Sequence, residues 1–135
     1  MKKTFIFFVF IVHTCYINAQ SDTLFSHNLQ QKRKQISMIN LIANPEKYFK
    51  EIIMVEGFIN IEFEGDAIYL HEEDFKKLIT KNGFIVYFAD NFFKKNKLSA
   101  DDFSKKYVCI TGELISTEDL LYSGIIKIIN IKLIK

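Results

Sequence analysis

The chain has 135 residues with 18 basic and 16 acidic side chains, a balance that excludes a domain holding polyanions by bulk charge alone. Its two cysteines, Cys15 and Cys109, exclude a disulfide framework. An apolar share of 49%, rich in Ile and Phe, is ample for one hydrophobic core in a domain of about 100 residues.

Lys2 and Lys3 precede an apolar stretch from Phe5 to Ile17, and Asn18-Ala19-Gln20 follows it. This is the pattern of a secretory signal peptide over residues 1–19, cut after Ala19. A transmembrane anchor would need about 20 apolar residues; this run is shorter and is interrupted by His13, Thr14 and Cys15. Acylation of Cys15 is the competing reading, against which His13 and Thr14 stand where small residues are expected. Without Lys2 and Lys3 the remaining chain is formally neutral and keeps Cys109 as its single cysteine. The expected product is exported, periplasmic or secreted, with no transmembrane anchor.

Residues 20–36 are polar and without periodicity, and are read as a flexible linker whose Lys32-Arg33-Lys34 cluster is a solvated arm. The folded domain is expected over 37–135. Met38, Ile39, Leu41 and Ile42 recur at helical spacing, with Ser37 placed to cap the helix and Asn44-Pro45 to end it. This helix should cover one mouth of a barrel.

A first strand follows from about Glu51 to Phe63, with Ile53, Val55, Ile59, Ile61 and Phe63 on one face and Glu56, Asn60 and Glu62 on the other. Gly65 makes a tight hairpin into a second strand, Ala67 to His71. Glu72-Glu73-Asp74 opens a short helix, its acids suiting the helix dipole, and Asn82-Gly83 turns into a third strand, Phe84 to Phe88. Asp90 to Lys97 reads as an irregular loop, and Ser99 to Phe103 as one helical turn. The fourth strand runs from Lys106 to Ile115 and the fifth from Gly124 to Ile134. In the fifth, the apolar parity shifts between Ile126/Ile128 and Ile131/Leu133, which one extra residue near Ile129-Asn130, a β-bulge, explains.

The first and fourth strands share a signature. Lys50 to Ile59 reads K-E-I-I-M-V-E-G-F-I and Lys105 to Leu114 reads K-K-Y-V-C-I-T-G-E-L. Gly57 and Gly112 fall where a strand bends or meets another backbone closely. Five strands with a helical turn between the third and fourth make the plan of an all-β, five-stranded, OB-fold-like Greek-key barrel with minor helices and an N-terminal helix. Over about Met38 to Ile134 the chain resembles small secreted or periplasmic bacterial OB-fold proteins that carry L-I-x-N-P-x-x-Y ahead of V-x-G-[FY]. Here these stand as Leu41 to Tyr48 and Val55-Glu56-Gly57-Phe58. The resemblance implies the fold and brings no catalytic residue with it.

Candidate chemistry is sparse. Glu62, Glu64, Asp66, His71, Glu72, Glu73 and Asp74 form an acidic cluster without the spacing of a calcium loop, and hairpin solubility and helix capping account for it better than a metal. Cys109 is out of phase with Val108 and Ile110, so it points away from the barrel interior with no histidine near in sequence. No catalytic residue, metal or cofactor is therefore expected. In an OB-fold the ligand crosses the second and third strands, where Phe58, Tyr69, His71 and Tyr87 would stand, joined by Tyr122 from the last loop. The expectation is a non-catalytic exported binding module, its partner an envelope or extracellular protein or peptide, or a glycan. A single-stranded nucleic-acid-binding OB-fold is the alternative, opposed by the neutral charge and the export signal, and a metal-dependent enzyme built on the acids around His71 is another.

Overall fold

A computed structural model describes residues 33–62, 65–117 and 121–134. The expected signal peptide with Cys15, residues 20–32 of the expected linker, and Phe63 and Glu64 of the expected first hairpin lie outside the described residues.

The elements are β1 (Lys34–Gln35), α1 (Met38–Ala43), β2 (Ile52–Asn60), β3 (Ala67–Tyr69), α2 (Glu72–Lys76), β4 (Gly83–Tyr87), α3 (Phe92–Asn96), β5 (Lys106–Ser116) and β6 (Ile125–Leu133). Short 3-10 turns occupy Pro45–Tyr48, Thr80–Asn82 and Ala100–Asp102. β2 pairs antiparallel with β3 and with β5, β3 antiparallel with β4, β4 parallel with β6, and β6 antiparallel with β5. That circuit closes a five-stranded barrel with the strand order of an OB-fold, which is the fold of this chain.

Alternation builds the interior. Ile53, Val55 and Ile59 of β2, Ile68 of β3, Phe84 of β4, Val108, Ile110 and Leu114 of β5, and Ile126 of β6 are all fully buried. Ile128 and Ile131 of β6 are also buried, because the register steps from Thr111↔Asn130 to Gly112↔Ile128 and leaves Ile129 over. The bulge thus restores inward parity where the apolar pattern slips. α1 is capped by Ser37, whose Oγ accepts the Asn40 N–H at 3.2 Å, and it brings Met38 and Leu41 into the core.

The paired glycines are explained by crowding. A Cβ at position 57 would lie 2.5 Å from the Tyr69 carbonyl oxygen and 2.8 Å from Met38 Cε. At position 112 it would lie 2.6 Å from Ile126 Cγ2 and 2.7 Å from the Lys127 carbonyl oxygen. Both are distances real side chains do not adopt, and in each case one obstacle is backbone.

Three segments depart from expectation. Residues 33–36 do not continue the linker: Lys34 and Gln35 pair in parallel with Ile53 and Met54, the Ile36 N–H donates to the Met54 carbonyl at 2.9 Å, and Ile36 is buried. β3 covers only Phe58 to Asn60 of β2, so the first half of that edge would otherwise stay unpaired. The first strand ends at Asn60, since Ser104 Oγ accepts the Ile61 N–H and donates to the Ile61 carbonyl, at 3.0 Å each. Finally, Asp90 to Lys97 is not wholly irregular. α3 forms there between two left-handed residues, Asn91 and Lys97, and is fixed by stacking among Phe88, Phe92 and Phe93 with centroids 4.8–5.3 Å apart.

Gly57→Ala tests the crowding. Overpacking of this kind costs about 1–3 kcal/mol, and in a domain of this size each kcal/mol lowers Tm by about 4–8 °C. A thermal melt followed by circular dichroism should show that loss, and an unchanged melt would mean that β2 and β3 can separate without penalty.

Candidate functional site

The outer surface of the barrel carries a row of cross-strand neighbours. Tyr107 of β5 faces Phe58 of β2, Phe58 faces Tyr69 of β3, and Tyr69 faces Gly83 of β4. Alternation turns these side chains outward, yet Phe58 and Tyr69 are each only 3% exposed. The cover is α2. Its single aromatic residue, Phe75, stacks at 5.8 Å from the Phe58 ring and 5.6 Å from the Tyr69 ring. Gly83 makes room for the Tyr69 ring, whose Cδ1 lies 3.0 Å from where a Cβ would stand.

Tyr122, from the loop before β6, closes the other side. Its ring is 6.1 Å from that of Tyr69, and the two hydroxyls share a hydrogen bond of 2.9 Å. Burial first, and then the Tyr122 hydroxyl, push the Tyr69 hydroxyl well above its ordinary value of 10.0, so it stays protonated. The Tyr122 loop is fastened in turn: Thr80 Oγ1 donates to the Leu121 carbonyl at 2.8 Å, and Lys81 Nζ to the Tyr122 carbonyl at 3.0 Å.

α2 sits above this row by a few polar contacts. The Asp74 carboxylate, itself buried, accepts the His71 N–H at 3.0 Å and the Asn82 side-chain N–H at 2.8 Å. The Tyr107 hydroxyl accepts the Glu72 N–H at 3.2 Å. His71 is exposed at the helix start, and its backbone N–H is what Asp74 accepts there. The acids expected around it are dispersed. Glu62 pairs with Lys105, Asp66 accepts the Glu62 N–H, and Glu72 and Glu73 pair with Lys76 and Lys77. Glu64 lies outside the described residues, and no group of three metal-ligating side chains is assembled among those described.

Of the five residues expected to present a ligand surface, the structure brings Phe58, Tyr69 and Tyr122 into one cluster and covers the first two. Tyr87 stands apart, 50% exposed at the far end of β4 and in register with Lys127 of β6. Tyr107 and Phe75 were not foreseen. Tyr107 had a sequence signal, since it shares the outward phase of Cys109; it is 44% exposed and follows Lys105 and Lys106. Phe75 is the one apolar residue among the acids and lysines of its helix, and its role depends on where that helix lands.

Cys109 lies on the outer face between Glu56 and Lys132 in the strand register. Burial, and next the Glu56 carboxylate, push its thiol up, so little thiolate is present at neutral pH. It lines a groove of about 370 Å³ with Met54, Glu56, Leu70 and the segment Gln35 to Ile39.

No protein-family model matches this chain, and no curated protein matches it. Solved structures do. A chain of the S. pombe Stn1–Ten1 complex is similar at 13% identity with a TM-score of 0.47, covering 77% of this chain and 78% of that one. A yeast Stn1 and Ten1 structure is similar at 12% identity and 0.46, covering 78% of this chain and 65% of the other. A Leishmania major chain assigned as an aspartyl-tRNA synthetase is similar at 11% identity and 0.47; the match covers 76% of this chain and 21% of that one. The expected partner, an envelope or extracellular protein or peptide, or a glycan, with nucleic acid set aside, is withdrawn: two of these three chains come from Stn1–Ten1 structures, and the comparisons give that expectation no support.

The shielded hydroxyl has a measurable consequence. Above pH 10 the unfolded chain releases the Tyr69 proton while the folded chain keeps it, so stability falls as pH rises through that range. Tyr69→Phe should therefore remove one late-ionising tyrosine from a spectrophotometric titration and flatten the alkaline loss of stability, at a cost near neutrality of about 0.5–1.5 kcal/mol for the lost hydrogen bond. A titration curve unchanged by the substitution would place the late proton elsewhere.

Proposed function

We propose that the barrel is a single-stranded nucleic-acid-binding module without a catalytic centre of its own. The observation that carries the reading is the placement of stacking and cationic groups on its outer surface. Tyr87 is exposed in register beside Lys127, and Tyr107 is exposed directly after Lys105 and Lys106. From Tyr107 to Tyr87 the path crosses three strand spacings and runs four residues along β4, roughly 20 Å at standard sheet dimensions. That suits a strand of about four nucleotides, the lower end of OB-fold site sizes. A tyrosine ring stacks on any base, and a lysine beside it meets the phosphate that follows.

The absence of a strong basic field sets the character of the binding. With nearly balanced charge, few phosphates are neutralised and stacking supplies most of the affinity. Asp74 and Asp66 accept backbone N–H groups, Glu62, Glu72 and Glu73 are ion-paired, and the one described thiol is held protonated, which supports binding over turnover.

Fluorescence anisotropy with a labelled oligothymidylate tests this. Tyr87→Ala should weaken binding about 5- to 100-fold, the equivalent of about 1–3 kcal/mol per stacked base. Lys127→Ala should flatten the dependence of log K on log salt by about 0.7, one phosphate contact on a single strand. No binding, or binding indifferent to both substitutions, would refute the proposal.

A further inference from the structure

The aromatic row that an OB-fold would offer to a ligand is complete on this barrel but covered by part of the same chain. Phe75 lies against both Phe58 and Tyr69, at the 5.6–5.8 Å separations of aromatic stacking. A flat base on this surface would meet the same two rings. α2 also brings Glu72 and Glu73 over the face, both carboxylates that repel a phosphate backbone. On the same outer face Asn60 is 4% exposed, and its Oδ1 has no hydrogen-bond partner among the described residues, leaving an acceptor that a base N–H would satisfy.

The cover is lightly built. α2 has five residues, too few to be stable as a helix alone. Its ion pairs, Lys76 with Glu72 and Glu73 and Lys77 with Glu73, are exposed and contribute little. It leaves through Leu78, a non-glycine residue at φ 55° whose side chain is 76% exposed. What holds it down is Phe75, the two bonds to Asp74, and the Tyr107 hydroxyl on the Glu72 N–H.

We propose that α2 is an autoinhibitory plug, with Phe75 keeping the place of a nucleobase on Phe58 and Tyr69 until a single strand displaces it. The inference rests on the nucleic-acid reading above and adds to it a second, masked stacking site. Binding then selects the open form, so its apparent affinity is lowered by the fraction of molecules that are open.

The test uses the full chain, its Phe75→Ala variant and its Tyr107→Phe variant, which keeps the ring and removes only the acceptor of the Glu72 N–H. Each is titrated with a fluorescein-labelled twelve-nucleotide oligothymidylate by anisotropy. Amide hydrogen exchange is followed at Lys77 and Ile79, whose N–H groups donate to the Glu73 and Asp74 carbonyls in the closed form. Both variants should bind about 3- to 10-fold tighter than the parent, and in the parent complex those two amides should exchange faster than in the free protein. Should Phe75→Ala not fold, Tyr107→Phe and the parent's exchange decide the matter alone. Binding by the parent with neither variant tighter, and with the α2 amides unchanged or slowed, would overturn the plug and leave the nucleic-acid reading standing. No binding by any of the three would overturn both.

Discussion

The pairing of β2 constrains everything else in this fold. It has nine residues, and β5 matches it from Ile52 to Ile59 along one edge. On the other edge β3 matches it only from Phe58 to Asn60. Half of that edge would therefore present bare N–H and carbonyl groups, which a folded chain does not leave open. β1 fills the gap at Ile53 and Met54, and Ile36 and Met38 then enter the core behind it. The early end of β3 also decides the fate of the outer face. The chain leaves the sheet at Leu70, directly beside Tyr69, and the next five-residue helix has little choice but to lie across the row it has just left.

The same economy explains why two glycines recur in matching strands. A small barrel needs its long strands to bend sharply, and at Gly57 and Gly112 a neighbouring carbonyl oxygen stands within 2.7 Å of where a Cβ would be. Close approach is the reason for glycine at both sites, since neither has a positive φ. Their placement in otherwise β-branched runs is a record of curvature.

Much of this was legible from the amino-acid sequence, and the boundary is physical. Alternation of Ile53, Val55 and Ile59, and the slipped parity around Ile129, depend on period alone, and both give the observed strand faces and bulge. The pairing of residues 34–36 was not legible, because two polar residues on an edge carry no periodic signal and the need for them arises only from the shortness of β3. α3 was hidden for a related reason: Phe92 and Phe93 look irregular until Phe88 is folded back to meet them. At the candidate site, Phe58, Tyr69 and Tyr122 could be assigned to the outer face by phase and loop position. Their burial could not, since it is caused by Phe75, a residue from an element whose sequence shows only acids and lysines around it.

Alternation sets the face of the sheet a side chain occupies, and a second layer decides whether solvent reaches it. Tyr69 and Tyr87 belong to adjacent strands and both point outward, yet one is 3% exposed and the other 50%. A cluster of aromatics on the outside of a small barrel would, if bare, be an apolar patch of the kind that invites association. Covering it with a five-residue helix resolves that liability while keeping the rings in place. Because the cover is anchored by one phenylalanine, one buried carboxylate and one tyrosine hydroxyl, the face is protected without being committed to the core. Tyr107 belongs to both arrangements: its ring packs on Phe58 at the edge of the covered row, and its hydroxyl holds the helix that covers it.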